Sequence, residues 1–140
     1  MKRLLTCLFL VLGFILIASP ANSGPIGMGE LKLSYGSVEL FIKYLKGGWQ
    51  KKPLVFLITI DGSGSDFWYC PDSHCQAGNH KKEIKMCKDY WKKECKVFAK
   101  RRIVKWKNDI NPGKGKESKF NSKWSDTKIR ERLNELGFLY

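Results

Sequence analysis

Pro53-Leu-Val-Phe-Leu-Ile-Thr-Ile60, then Asp61-Gly-Ser-Gly-Ser65, then Asp66-Phe-Trp-Tyr-Cys70 is the stretch that decides the fold. Leu54 to Ile60 is a continuous apolar, β-branched run between Pro53 and Asp61-Gly62. Such a run is the pattern of a central strand covered on both faces. Asp61 to Ser65 is rich in Gly and Ser, and Asp66 to Cys70 returns as a second, aromatic strand, so the three pieces read as a β-hairpin. The turn has alternating oxygen side chains, as a calcium loop does. It carries Asp66 where such a loop needs Gly and Asp72 where it needs Glu, so a hairpin turn is the better reading.

On the N-terminal side, Val38, Phe41, Ile42 and Leu45 fall on one face of a helix. Ser34 or Ser37 can cap it, and Gly47-Gly48 stops it after Lys46. Residues 24–33 are small and mixed and read as a loose lead. On the C-terminal side, Pro71 to His80 is a polar loop. Asn79 can cap a helix over residues 80–93, with Ile84, Cys87 and Trp91 on one face, joined by Tyr90, and lysines over most of the rest. Its apolar stripe is wide enough to dock on a sheet and narrow for a membrane-binding helix. Cys95 to Lys100 and Arg102 to Trp106 read as a second strand pair with Lys100-Arg101-Arg102 at its tip. Residues 108–123 lack periodicity and are rich in Lys, Gly, Ser and Asn, which predicts a long, flexible basic loop. A terminal helix follows within residues 124–137, with Ser125 as cap, Trp124 and Ile129 as a hydrophobic staple, Ile129, Leu133 and Leu136 as its buried stripe, and Gly137 at its end. The expected architecture is α+β: one small domain of about four mostly antiparallel strands with three helices on one face, stapled by disulfides.

The chain has 140 residues, the length of one domain. Residues 1–23 read as a secretory signal peptide. Lys2-Arg3 precede an apolar run from Leu4 to Ala18, and Pro20, Ala21 and Ser23 set a cut before Gly24, with a cut after Ala21 as the variant. The run is shorter than the ~20 residues that span a bilayer. The expected destination is therefore secreted or periplasmic. Four cysteines remain after the cut: Cys70, Cys75, Cys87 and Cys95. An even number in an exported chain points to two disulfides. Loop entropy gives the local pairs Cys70–Cys75 and Cys87–Cys95 about 2.2 and 2.6 kcal/mol, and the nested pairs about 3.5 and 2.9 kcal/mol. Local pairing is preferred here because Cys95 follows a helix end and can fold back onto Cys87, a geometric argument that outweighs the small entropic difference. The C-x4-C and C-x7-C spacings lack the tight knuckles of structural zinc sites, so no metal ligand is assigned even with His74 and His80 nearby.

Phe67-x-Tyr69-Cys70-Pro71, Cys75, a helix carrying Cys87, Cys95-Lys-Val-Phe-Ala-Lys and Ile103-Val104-x-Trp106 together resemble a family of small exported bacterial proteins with a four-cysteine frame and a Phe-Ala…Val-x-Trp strand pair. The resemblance covers residues 31–107. It implies export, disulfides and α+β architecture, and it carries no catalytic residue with it.

The charge is lopsided. Residues 24–80 hold five Lys and five acids, whereas residues 81–140 hold 19 Lys or Arg against eight acids, a net +11. Such asymmetry points to an anionic partner: nucleic acid, acidic polysaccharide or an anionic membrane surface. Lys100, Arg101, Arg102, Lys114, Lys116, Lys119 and Lys123 are the candidate anion-binding residues, and Trp91, Phe98, Trp106, Phe120 and Trp124 are interleaved with them. The function read from this is a non-enzymatic binding module for an anionic partner, with no small-molecule cofactor. Two alternatives stand beside it. One is a structural or inhibitory envelope protein that binds another protein. The other is a small secreted hydrolase using His74 and His80, the chain's two histidines, for proton transfer. No G-x-S-x-G nucleophile motif is present, and Cys70-x4-Cys75 lacks the C-x-x-C spacing of thiol–disulfide exchange.

Overall fold

The computed structural model describes residues 24–47, 51–71, 74–75 and 78–140. The segment 1–23, expected to be a signal peptide, and Gly48 of the expected helix stop lie outside the described residues. Among the described residues, three helices and four strands follow in the order α1 (Tyr35–Lys46), β1 (Lys52–Thr59), β2 (Ser65–Cys70), α2 (Lys81–Trp91), β3 (Cys95–Lys100), β4 (Ile103–Val104) and α3 (Asp126–Glu135). The strands form one antiparallel sheet ordered β2-β1-β3-β4. The α+β architecture read from the sequence is the one observed.

The apolar run is the reason β1 sits in the middle. Phe56 and Ile58 point to one face, and Val55 and Leu57 to the other, and all four are fully buried. A strand buried on both sides needs cover on both sides, and the helices divide accordingly. Phe56, Ile58 and Phe98 pack with Phe41 and Leu45 of α1 and Ile129 and Leu133 of α3. Val55, Leu57 and Val97 pack with Cys87, Ile84 and Trp91 of α2. The expectation of helices on one face is thus corrected: α2 covers the face opposite α1 and α3. Pro53 is tolerated inside β1 because pairing to β3 begins only at Val55↔Lys100, so the proline pairs with β2 alone.

Phe41 stands at the centre of the larger core. Its ring meets Phe56, Phe98 and Phe120 edge-on at centroid distances of 5.1, 5.3 and 5.4 Å, the arrangement the ring quadrupoles prefer. Two disulfides staple the sheet's periphery in the local pattern. Cys70–Cys75 closes the end of β2, with Cα atoms 5.7 Å apart. Cys87–Cys95 ties α2 to the start of β3 at 6.1 Å.

Ser34 caps α1 by accepting from the Ser37 N–H at 3.2 Å, and Ser125 caps α3 by accepting from the Lys128 N–H at 3.1 Å. Gly137, at φ 81°, ends the α3 segment in the left-handed conformation. The hairpin turn is held by Asp61 Oδ1, which accepts from Ser63 N–H (3.1 Å), Ser63 Oγ (2.7 Å) and Thr59 Oγ1 (2.7 Å). Lys93 Nζ donates to Asp61 Oδ2 at 2.7 Å and to Ser63 Oγ at 2.9 Å, latching the turn to the chain just after α2.

Four local expectations are corrected. The lead at 24–33 is not loose: Gly27 N–H donates to Val97 O and Val97 N–H to Pro25 O, so Ile26 bridges to β3, and Leu31 and Leu33 are buried. A Cβ at Gly27 would lie 2.0 Å from the Trp106 ring, so this position must be glycine. The fourth strand stops at Val104 instead of Trp106. Lys105 and Trp106 both donate to Phe98 O, and Lys107 then bridges to Met28, so the chain changes partner. Helix α2 is shorter at both ends than expected, because His80 and Lys92 flank it in left-handed conformations. Tyr90 does not join its buried face and is 74% exposed.

Candidate anion-binding groove

The candidate site is built by the segment expected to be a flexible loop, residues 108–123, where it meets α3. Instead of standing off the fold, that segment is anchored along its length. Asn108 accepts from the Ile110 and Asn111 N–H groups through Oδ1 and donates to Leu136 O at 2.9 Å. Asn111 is fully buried; its Nδ2 donates to Trp106 O at 2.6 Å, and its Oδ1 accepts from Ser118 Oγ at 2.6 Å. Ser118 O accepts from Val104 N, and Phe120 N donates to Arg102 O. With the Ile103↔Lys119 bridge, residues 118–120 therefore lie alongside β4 as an extra rung. Extended backbone sends alternate side chains to opposite sides. Ser118 and Phe120 go inward and are buried, and Lys119 goes outward.

Helix α3 supplies the opposite wall. Ile129 and Leu133 face the core, which leaves Lys128 and Arg132, four residues apart, together on the side facing the segment. Between the walls runs a groove of ≈ 570 Å³ lined by Arg102, Lys116, Lys119, Lys128 and Arg132 together with Glu135, and Lys128 pairs with Glu131 at 3.6 Å beside it. Trp124, half-buried and tilted against Phe120 at 5.8 Å, closes one side. Arg132 pairs with Glu135 at 2.7 Å, and this hydrogen bond holds the Glu135 carboxyl below the usual carboxylate range. Arg102 contributes its main-chain carbonyl to anchor Phe120 and its half-buried side chain to the groove. Its Nε has no hydrogen-bond partner among the described residues. An arrangement of this kind can bind oxyanions: guanidinium groups offer planar forks to phosphate or sulfate, and ammonium groups offer mobile point charges.

The structure sorts the residues proposed from sequence. It brings Arg102, Lys116 and Lys119 together in the groove. Lys114 and Lys123 are exposed but outside its lining. Lys100 donates to Gly78 O at 3.1 Å, away from the groove. Arg101 occupies the left-handed turn position at φ 52° and is held by its main chain, accepting from Tyr44 Oη at 2.6 Å and donating to Leu54 O. Lys128 and Arg132 were missed; their i, i+4 spacing on the polar face of α3 was the available signal. Of the aromatics considered for stacking, Phe98, Trp106 and Phe120 are core residues, and only Trp91 and Trp124 stay partly open.

The two histidines have separate environments. His80 is buried at the start of α2, with Nδ1 3.8 Å from the Glu83 carboxylate. Burial lowers its pKa, the Lys100 charge adds to this, and Glu83 opposes it. His74 is exposed beside the Cys70–Cys75 bridge. Among the described residues no group of three His, Cys, Asp or Glu side chains is placed to hold a metal ion. No described helix is long and apolar enough to cross a membrane. No family model, curated protein or solved structure matches the chain, so the geometry carries the functional reading.

Proposed function

We propose that this protein is an exported, non-enzymatic binding module for a linear polyanion carrying phosphate or sulfate groups. The observation that supports this is the groove, where Arg102, Lys116, Lys119, Lys128 and Arg132 converge, five cations against the carboxylates of Glu135, paired with Arg132, and Glu131, paired with Lys128. Like charges gathered in one concavity repel one another and focus a positive field, which an incoming oxyanion relieves. A polymer suits the groove better than a small ion, because the cations come from β4's approach, the 108–123 segment and α3 and are spread along its length. Trp124 adds an apolar ring on which a sugar or base can rest. Export agrees with the two disulfides, which persist in oxidising compartments.

The test is binding of the purified mature chain to heparin and to a single-stranded oligonucleotide over a salt series. Binding at low salt that weakens linearly in log–log form is the expected result, because each neutralised phosphate releases condensed counterions. Absence of binding to both polymers at low salt removes the proposal, and the positive charge is then a solubilising surface.

A further inference from the structure

A second basic cleft lies on the other side of the sheet. It is bounded by α2, Gly24-Pro25 and the start of β3, has a volume of ≈ 560 Å³, and carries Lys81, Lys85, Lys88 and Lys96 with Glu94 around an apolar floor of Pro25 and Ile84. Helix α2 covers the Val55, Leu57 and Val97 face, whereas α3 covers the Phe56, Ile58 and Phe98 face. The groove and the cleft are thus held on opposite faces of one stapled sheet, and the Cys87–Cys95 bridge fixes α2 in place. Within the cleft, Lys85 pairs with Asp89 at 2.5 Å and Lys96 with Glu94 at 3.1 Å. Lys81 and Lys88 are exposed and make no ion pair among the described residues. Their charges are available to a ligand. Two separate segments of polymer, one per face, satisfy both sets of cations.

We infer that the protein is bivalent, holding one segment of polyanion in the α3 groove and a second in the α2 cleft, so that it cross-bridges polymer chains. This rests on the proposed polyanion binding and goes beyond it. Binding two segments through one rigid body converts the second event into a local one at raised effective concentration. The consequence is networks of long polymer, where a one-site binder only coats it.

The experiment compares the parent with a cleft variant (Lys81→Gln, Lys85→Gln, Lys88→Gln) and a groove variant (Lys116→Gln, Lys119→Gln, Lys128→Gln). All six positions are exposed, and circular dichroism checks that each variant is folded. Short single-stranded oligonucleotide and short heparin fragments, in separate arms, are titrated by calorimetry to count sites and to distinguish phosphate from sulfate ligands. Light scattering with long polymer of each kind reads cross-bridging. The inference predicts two short ligands per parent chain, one per chain in each variant, and scattering that falls to the polymer baseline in both. One ligand per parent chain, lost in the groove variant and unchanged in the cleft variant, overturns bivalency and leaves the groove reading standing. No binding by the parent overturns both.

Discussion

Asn111→Ala removes no charge, yet it should weaken both the fold and the groove. The Asn111 side chain is fully buried. It satisfies Trp106 O and Ser118 Oγ with two 2.6 Å bonds and reaches Val104 O at 3.4 Å. Alanine leaves those groups in a space closed to water. Each orphaned buried group costs about 1–3 kcal/mol. Counting the two short bonds and neglecting the long one, the loss is roughly 2–6 kcal/mol, a large part of the ~5–15 kcal/mol that holds a domain together. At about 4 °C per kcal/mol for a chain of this size, the thermal midpoint should fall by roughly 8–24 °C. Ser118→Ala removes only one of these groups together with its partner bond, so it should show about a third to a half of the effect. The same substitution frees the 108–123 segment to move Lys116 and Lys119 relative to Lys128 and Arg132. Well below the midpoint, polyanion affinity should therefore drop at unchanged net charge. The assay is thermal unfolding followed by circular dichroism, with oligonucleotide binding measured at 10 °C below the variant's midpoint as a working temperature. A midpoint shift under about 3 °C would show that Asn111 does not hold the segment, and the anchoring argument fails.

Other outcomes follow from the packing and the titrating groups. Gly64→Ala places a Cβ 2.4 Å from the Trp91 ring and should destabilise by about 1–3 kcal/mol, whereas Gly36→Ala, in α1 with open space around it, should stabilise by up to about 1 kcal/mol; urea unfolding separates the two signs. His80 has a folded pKa below its ordinary 6.5, mainly through burial, so the unfolded chain takes the proton first. Its contribution is complete above about pH 6.5 and is lost as pH falls through the folded value. His80→Asn tolerates the left-handed backbone and should remove that part of the acid slope of the thermal midpoint; an unchanged slope between about pH 5 and 7 contradicts the assignment. Alkylation without reductant should label none of Cys70, Cys75, Cys87 and Cys95, and two or more labelled thiols would sink the disulfide frame.

The elements with strict periodicity were legible in the sequence. Leu54 to Ile60 could be read as a two-faced central strand because both residue parities are apolar, and the Val38-Phe41-Ile42-Leu45 and Ile129-Leu133 spacings leave one solution each. What could not be read is long-range pairing by polar residues. The 108–123 segment looks mobile because its anchors, Asn111 and Ser118, are residues that solvated loops also carry, and only burial reveals their use. The lead at 24–33 reads as loose because its ties run to distant partners: main-chain bonds to Val97 and Lys107, Lys32 to the carbonyls of Gly137 and Leu139, and Trp106 and Lys96 to the carbonyls of Gly29 and Gly24. The helices' division between two faces was implied by the doubly apolar strand, but the helix patterns do not say which face each one takes. The groove was half legible. Charge density pointed to the right half of the chain, but a charge run cannot tell Lys119, which faces the groove, from Lys100 or Lys123, which do not.

That distinction provides the most direct test of the central claim. Two triple variants carry the same loss of charge: Lys116→Gln, Lys119→Gln, Lys128→Gln within the groove, and Lys100→Gln, Lys114→Gln, Lys123→Gln outside its lining. Binding to a single-stranded oligonucleotide is measured across a salt series, with circular dichroism as the fold control. Each phosphate contact removed should lower the logarithmic salt slope by about 0.7, so the groove variant should lose about two units. The outside variant should keep nearly the parent's slope. Equal losses in the two variants would show that the positive charge acts as a diffuse field and that the groove is not a binding site.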